Sequence, residues 1–148
     1  LRSEIALIRH AAPLHDIGKV SIDNSILRKP GKLTEEEYNA IKTHVEAGVK
    51  ILTKSNNKLL QLAEVIALTH HERWDGSGYP KGLKGDEIPL VGQIVAVADV
   101  FDVLMSERPY KKAWSLEAAI EEITKHSGRW YSPRVVEAFL QVIEEQHK

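Results

Sequence analysis

Apolar positions along this chain recur at intervals of three and four, the period of an amphipathic helix, with almost no alternation of the strand type. Residues Arg2 to Leu14 place Ile5, Ile8, Ala11 and Ala12 on one stripe, which predicts a helix ending near His15. A second helix opens with Thr34 and Glu37, a capping-box pair, and with Glu35 and Glu36 at the positive end of its dipole. Its inward face is expected to carry Ile41, Val45, Gly48, Val49 and Leu52. A third runs from about Lys58 to His70, with Leu59, Leu62, Val65, Ile66 and Thr69 inward. A fourth, from about Leu90 to Ser106, is apolar nearly all round, the pattern of a central, buried helix. A fifth starts at Ser115 and stops near Gly128, placed as a C′ glycine. The last has Ser132 as N-cap and Pro133 at N1, then Val135, Val136, Phe139, Val142 and Ile143 on its buried face.

The pattern predicts an all-α domain, an irregular helical bundle. One stretch breaks it. Between the third and fourth helices, Glu72 to Pro89 contains Gly76, Gly78, Gly82, Gly85, Pro80 and Pro89. An ordered loop of that length inside a compact domain is more often functional than idle.

Composition narrows the picture without redirecting it. The 148 residues suit one domain able to bury a core, and 43% apolar with 28% charged residues is ordinary for a globular protein. A formal net charge of -1 gives no overall basic field for a nucleic-acid polymer, although a local Lys/Arg cluster can still hold a small anion. No stretch approaches the roughly 20 apolar residues needed to span a bilayer, and no signal peptide is visible, which reads as cytoplasmic. The absence of cysteine removes disulfides, thiolate catalysis and Cys-based zinc sites.

Candidate chemistry lies with the histidines. His15 and Asp16 are adjacent at the end of the first helix, with Lys19 just beyond, and His44 shares the inward face of the second. His70 ends the third helix, followed at once by His71, and Asp99 lies midway along the most apolar helix. A buried carboxylate needs a partner or a metal. Imidazole plus carboxylate is a ligand set for divalent Mn, Fe, Ni or Zn. Two such ions would clamp a phosphodiester and generate hydroxide at neutral pH, so no protein nucleophile would be required. Singly, each residue has a plainer explanation: a core histidine, a helix-end imidazole, a capped carboxylate. Six together on inward faces favour a metal site. His10, His126 and His147 lack that setting and read as surface or packing residues.

HDIGK at 15–19, a helical His44, HHERWDGSGYP at 70–80 and IVAVADVFDVLMSERPYK at 94–111 resemble the HD-GYP family, in the family's order and over nearly the whole chain. The resemblance implies an HD-domain bundle holding two or three divalent ions, iron or manganese. His15 and Asp16 would be paired ligands with Asp16 bridging, His44, His70 and His71 would complete the second metal, and Asp99 would close the first. Lys19 would touch a phosphate or the attacking water, with Asp16 and Lys19 as the catalytic pair. Arg108 and Lys111 would bind the substrate's phosphates, and Gly78, Tyr79 and Pro80 would shape the substrate loop. The implied reaction is hydrolysis of cyclic di-GMP to the linear dinucleotide pGpG or to GMP. Two alternatives stand beside it: another cyclic dinucleotide as substrate, or a signalling module that contacts diguanylate cyclase domains through the GYP segment. The resemblance also implies one further helix upstream, bearing another ligand histidine, and a preceding sensor or receiver domain.

Overall fold

The computed structural model describes residues 1–108 and 110–148; Pro109, within the RPYK segment, lies outside the described residues. Those residues form helices and loops with isolated β-bridges and no strand, so the architecture is all-α as the periodicity predicts. No described helix is long and apolar enough to cross a membrane. The chain divides into two compact units, Leu1–His70 and His71–Lys148.

In the first unit, α1 (Arg2–Ala11) gives way to a 3-10 turn over Ala12–Leu14 instead of continuing to Leu14. Pro13 explains the change, since its ring clashes with the carbonyl four residues back in an α-helix. A second 3-10 segment, Ile17–Ser21, follows His15 and Asp16, and then a short helix α2 (Asn24–Leu27) capped by Asp23. The helix expected from Thr34 to Leu52 is two, α3 (Glu35–Lys42) and α4 (His44–Leu52). The Thr34–Glu37 capping box forms at the start of α3. At the break, both the amide and the hydroxyl of Thr43 take the Ala40 carbonyl, at 3.2 and 2.6 Å, which tightens the last turn of α3 and re-aims the chain.

Helix α5 (Lys58–Thr69), capped by Asn57, packs against α1 and α4. Its buried face is Ala63, Ile66, Ala67 and Thr69, while Val65 is 36% exposed and not inward as expected. Ala67 is inward because it lies against Gly48 of α4, where the two helices approach closely. Gly18 makes an even tighter approach. A Cβ there would overlap the His44 carbonyl and the Gly48 amide, so the segment carrying Asp16 is laid directly on the backbone of α4.

The second unit begins with the Gly/Pro loop and contains α6 (Leu90–Met105), α7 (Leu116–Lys125) and α8 (Pro133–Gln146). Its core joins Val97 and Leu104 of α6, Ala119 and Ile123 of α7, and Val135 and Val136 of α8. α6 is not buried all round: Leu90 and Ile94 face an open groove shared with Phe139 and Val142 of α8, and Val142 is 50% exposed.

Candidate metal centre

Four of the six ligand candidates lie in the first unit and converge on one carboxylate. His15 and Asp16 stand between the two 3-10 segments, His44 is the first residue of α4, and His70 caps α5. Helix ends supply unsatisfied carbonyls, and each imidazole uses them. His15 Nδ1 lies 2.7 Å from the Ala12 carbonyl oxygen, and His44 Nδ1 lies 2.5 Å from that of Ile41. His70 Nδ1 sits between the carbonyls of Ile66 and Ala67, at 3.0 and 3.1 Å.

A carbonyl only accepts, so all three Nδ1 atoms must carry the proton. In the neutral ring this leaves the lone pair on Nε2. All three Nε2 atoms face Asp16. His15 Nε2 is 3.2 Å from Oδ2, while His44 and His70 Nε2 are 3.3 and 3.6 Å from Oδ1. Lys19 Nζ completes the ring around the carboxylate at 2.9 Å from Oδ2. His44 and His70 are both almost fully buried, and Asp16 Oδ1 is shut off from solvent without a well-formed hydrogen bond. Desolvation pushes the Asp16 carboxyl up, but His15, His44, His70 and Lys19 together hold it far below the usual carboxylate range.

This donor set fits a divalent cation. Lone pairs on neutral Nε2 atoms facing a carboxylate oxygen repel unless a positive centre stands among them, and a metal ion would satisfy both. Ligand atoms of Asp16, His44 and His70 lie within 4.8 Å of one another, as do those of His15 and His70. The Nδ1-to-carbonyl bonds are the outer contacts that fix tautomer and ring direction in metal-binding histidines.

The remaining candidates belong to the second unit. His71 is its first residue and stacks on Tyr79, with ring centroids 4.9 Å apart and an interplanar angle of 19°. Asp99 is half-buried on α6. Gly78 cannot carry a side chain, since a Cβ would overlap the Arg73 amide and the His71 carbonyl. Tyr79 and Pro80 follow through a cis peptide bond. Arg108 is exposed and paired through its backbone with Lys111. Lys111 lies beside the end of α6. Its ammonium donates to the carbonyls of Val103, Leu104 and Ser106 at 2.9, 3.2 and 3.3 Å, so it caps the negative end of α6.

Sequence reasoning missed Glu72. Only 3% exposed, it accepts from the amides of Lys81 at 2.8 Å and Leu83 at 3.0 Å, closing the Gly/Pro loop on itself. Its signal was a carboxylate followed within about ten residues by several loop glycines, which leave amides in need of an acceptor.

A family profile described as HD domain matches residues 3–135, which makes this an HD-domain protein. The chain is 59% identical over 138 residues to a cyclic di-GMP phosphodiesterase of Thermotoga maritima, covering 93% of this chain and 38% of the relative. It is 54% identical over 137 residues to the cyclic di-GMP phosphodiesterase response regulator RpfG of Xanthomonas campestris pv. campestris, covering 93% and 36%. It is 51% identical over 143 residues to the 3′3′-cGAMP-specific phosphodiesterase 2 of Vibrio cholerae, covering 97% and 27%. The crystal structure of a cyclic GMP-AMP specific phosphodiesterase of V. cholerae, V-cGAP3, shares the fold with a TM-score of 0.61 at 22% identity, covering 95% of this chain and 38% of that one. With these relatives and its HDIGK and GYP segments, the chain belongs to the HD-GYP family. It spans less than two fifths of the length of each of these relatives.

Proposed function

We propose that this chain is the catalytic domain of a cyclic dinucleotide phosphodiesterase acting on cyclic di-GMP, with pGpG or GMP as product. The observation that carries the reading is the pinning of three Nδ1 atoms to backbone carbonyls, which turns three Nε2 atoms onto Asp16. A pair of divalent ions, iron or manganese, would supply Lewis-acid stabilisation of the phosphoryl oxygens and lower the pKa of water when bound. A third ion would extend the same site. Asp16 would bridge, with His15 on one side and His44 and His70 on the other. The motif resemblance adds His71 and Asp99 as ligands.

The chain's other residues handle the substrate. Lys19 restrains Asp16 through Oδ2 and presents its charge, 41% exposed, to a phosphate. Arg108 offers a planar fork for phosphate oxygens. Lys111, paired with Arg108 through the backbone, would add its charge for the phosphates, and Gly78, Tyr79 and Pro80 would form the loop wall against which the dinucleotide is oriented.

Metal analysis combined with a cyclic di-GMP turnover assay tests the proposal. Asp16→Ala and His70→Ala should each lose bound metal and turnover together. Wild-type turnover in either variant overturns the reading.

A second substrate has specific support, since three of the similar proteins are named as 3′3′-cGAMP-specific. The ratio of kcat/KM on the two cyclic dinucleotides decides between them. Contact with diguanylate cyclase domains through residues 78–80 is a separate proposal. It predicts that Tyr79→Ala abolishes capture of such a domain while the fold is retained.

A further inference from the structure

We infer that Trp130, braced by His126 and Glu122, is a positioning residue for the loop that carries His71 and Tyr79. The inference deepens the proposed function and rests on it for the loop's role in substrate binding.

The loop is fastened at two places. Glu72 ties its far limb, through the amides of Lys81 and Leu83. Its near limb, residues 73–75, is tied instead to the turn between α7 and α8. The amide of Trp74 donates to the Trp130 carbonyl at 3.0 Å, and that of Asp75 donates to the Arg129 carbonyl at 2.7 Å. Above these bonds the Arg73 guanidinium lies 4.1 Å from the centre of the Trp130 indole.

Trp130 is itself braced. Its ring is stacked on the His126 imidazole with centroids 3.6 Å apart and planes 6° from parallel. His126 is 6% exposed, and its Nε2 lies 3.0 Å from Glu122 Oε1. The turn winds around the His126 carbonyl, which accepts from the amides of Arg129, Trp130 and Tyr131, while Gly128 at φ +77° reverses the chain. Gly128 and the Ser132 cap suffice to join α7 to α8, and the half-buried Trp130 is no core plug. What the Arg73–Trp130–His126 stack adds is a fixed seat for residues 73–75.

That seat governs the motif because the backbones touch. Gly78 lies directly on the Arg73 amide and the His71 carbonyl, and the Tyr79 amide donates to the His71 carbonyl at 3.2 Å. A shift of Arg73 is therefore transmitted to Tyr79 and His71 without any intervening side chain.

The test compares the metal-loaded wild type with Trp130→Ala, Trp130→Phe and Arg73→Met, by amide hydrogen exchange and by steady-state hydrolysis of cyclic di-GMP. In Trp130→Ala, exchange across residues 71–83 should speed up by about tenfold while α4 is unchanged. KM should rise by about tenfold with a smaller change in kcat. Trp130→Phe, which keeps the stack, should restore both. Arg73→Met, which leaves the backbone bonds in place, should show the same pattern more weakly and serves if Trp130→Ala does not fold. Unchanged exchange in a folded Trp130→Ala protein, or faster exchange with unchanged KM, overturns the inference. Should the wild type hydrolyse no cyclic dinucleotide while the exchange pattern holds, the proposed function falls and the clamp on the loop stands.

Discussion

The Nε2 of His44 stands 3.3 Å from Oδ1 of Asp16, a spacing that rests on two backbone features. One is the bond from His44 Nδ1 to the Ile41 carbonyl, and the other is Gly18, which lets the Asp16 segment lie on α4.

Replacing His44 with Gln should weaken divalent-metal binding by more than about tenfold, because the replacement removes a soft nitrogen donor at a fixed position. Titration of the metal-free protein with Mn²⁺ reads the loss directly. The rise in unfolding temperature on adding metal should shrink with it, as binding only to the folded state requires.

Gly18→Ala should be among the most damaging single substitutions in the first unit. Its methyl group would have to displace backbone atoms of His44 and Gly48, which cannot rotate away. We expect a loss of about 3 kcal/mol or more in urea unfolding. A change below about 0.5 kcal/mol, the range of ordinary surface sites, would show that this contact is not tight.

Lys111→Met should reduce stability as well as any activity. Three carbonyl oxygens at the end of α6 lose a charged donor, worth about 1.5–3 kcal/mol for hydrogen bonds of this kind. A side chain used only for substrate would leave the unfolding midpoint in denaturant where it was.

Glu37 gives a pH-dependent prediction. Its carboxyl is held below the usual range by Lys29, whose Nζ is 2.6 Å away, and by the Thr34 amide of the capping box. A depressed carboxyl stabilises the fold above its unfolded pKa of about 4.3 and loses that contribution as pH falls through the lower folded value. The stability difference between wild type and Glu37→Ala should therefore be largest near neutrality and shrink below about pH 4. Denaturant unfolding at several pH values checks it.

Helix positions were legible in the sequence wherever a start signal and an apolar stripe agreed, as at Thr34, Ser115 and Ser132. They were not legible where a local hydrogen bond overrides the period, as at Thr43, or where Pro13 forces a tighter turn. Val65 and Ala67 show the same limit in packing. Hydrophobicity favours Val65 for the interior, but the space left beside Gly48 selects Ala67.

The site divides along similar lines. The burial of His44 and His70 was readable from helix period, whereas His15 and Asp16 stand between two 3-10 segments and were readable only as an adjacent pair at a helix end. Glu72, His126 and Trp130 were not, because their partners are backbone amides and rings brought together only by the folded loop and turn. The helix-end bonds of Lys111 were not legible, because a cation near a phosphate-binding motif and a cation at a helix end look alike in sequence.

Each of the three imidazoles is anchored by its Nδ1 to a main-chain oxygen three or four residues upstream. The rotameric freedom of these rings is thus surrendered when the helices form, not when an ion arrives. An ion held by these rings would meet donor directions already set by the main chain. Those directions are written into the ends of helical segments and not into the surface of this unit.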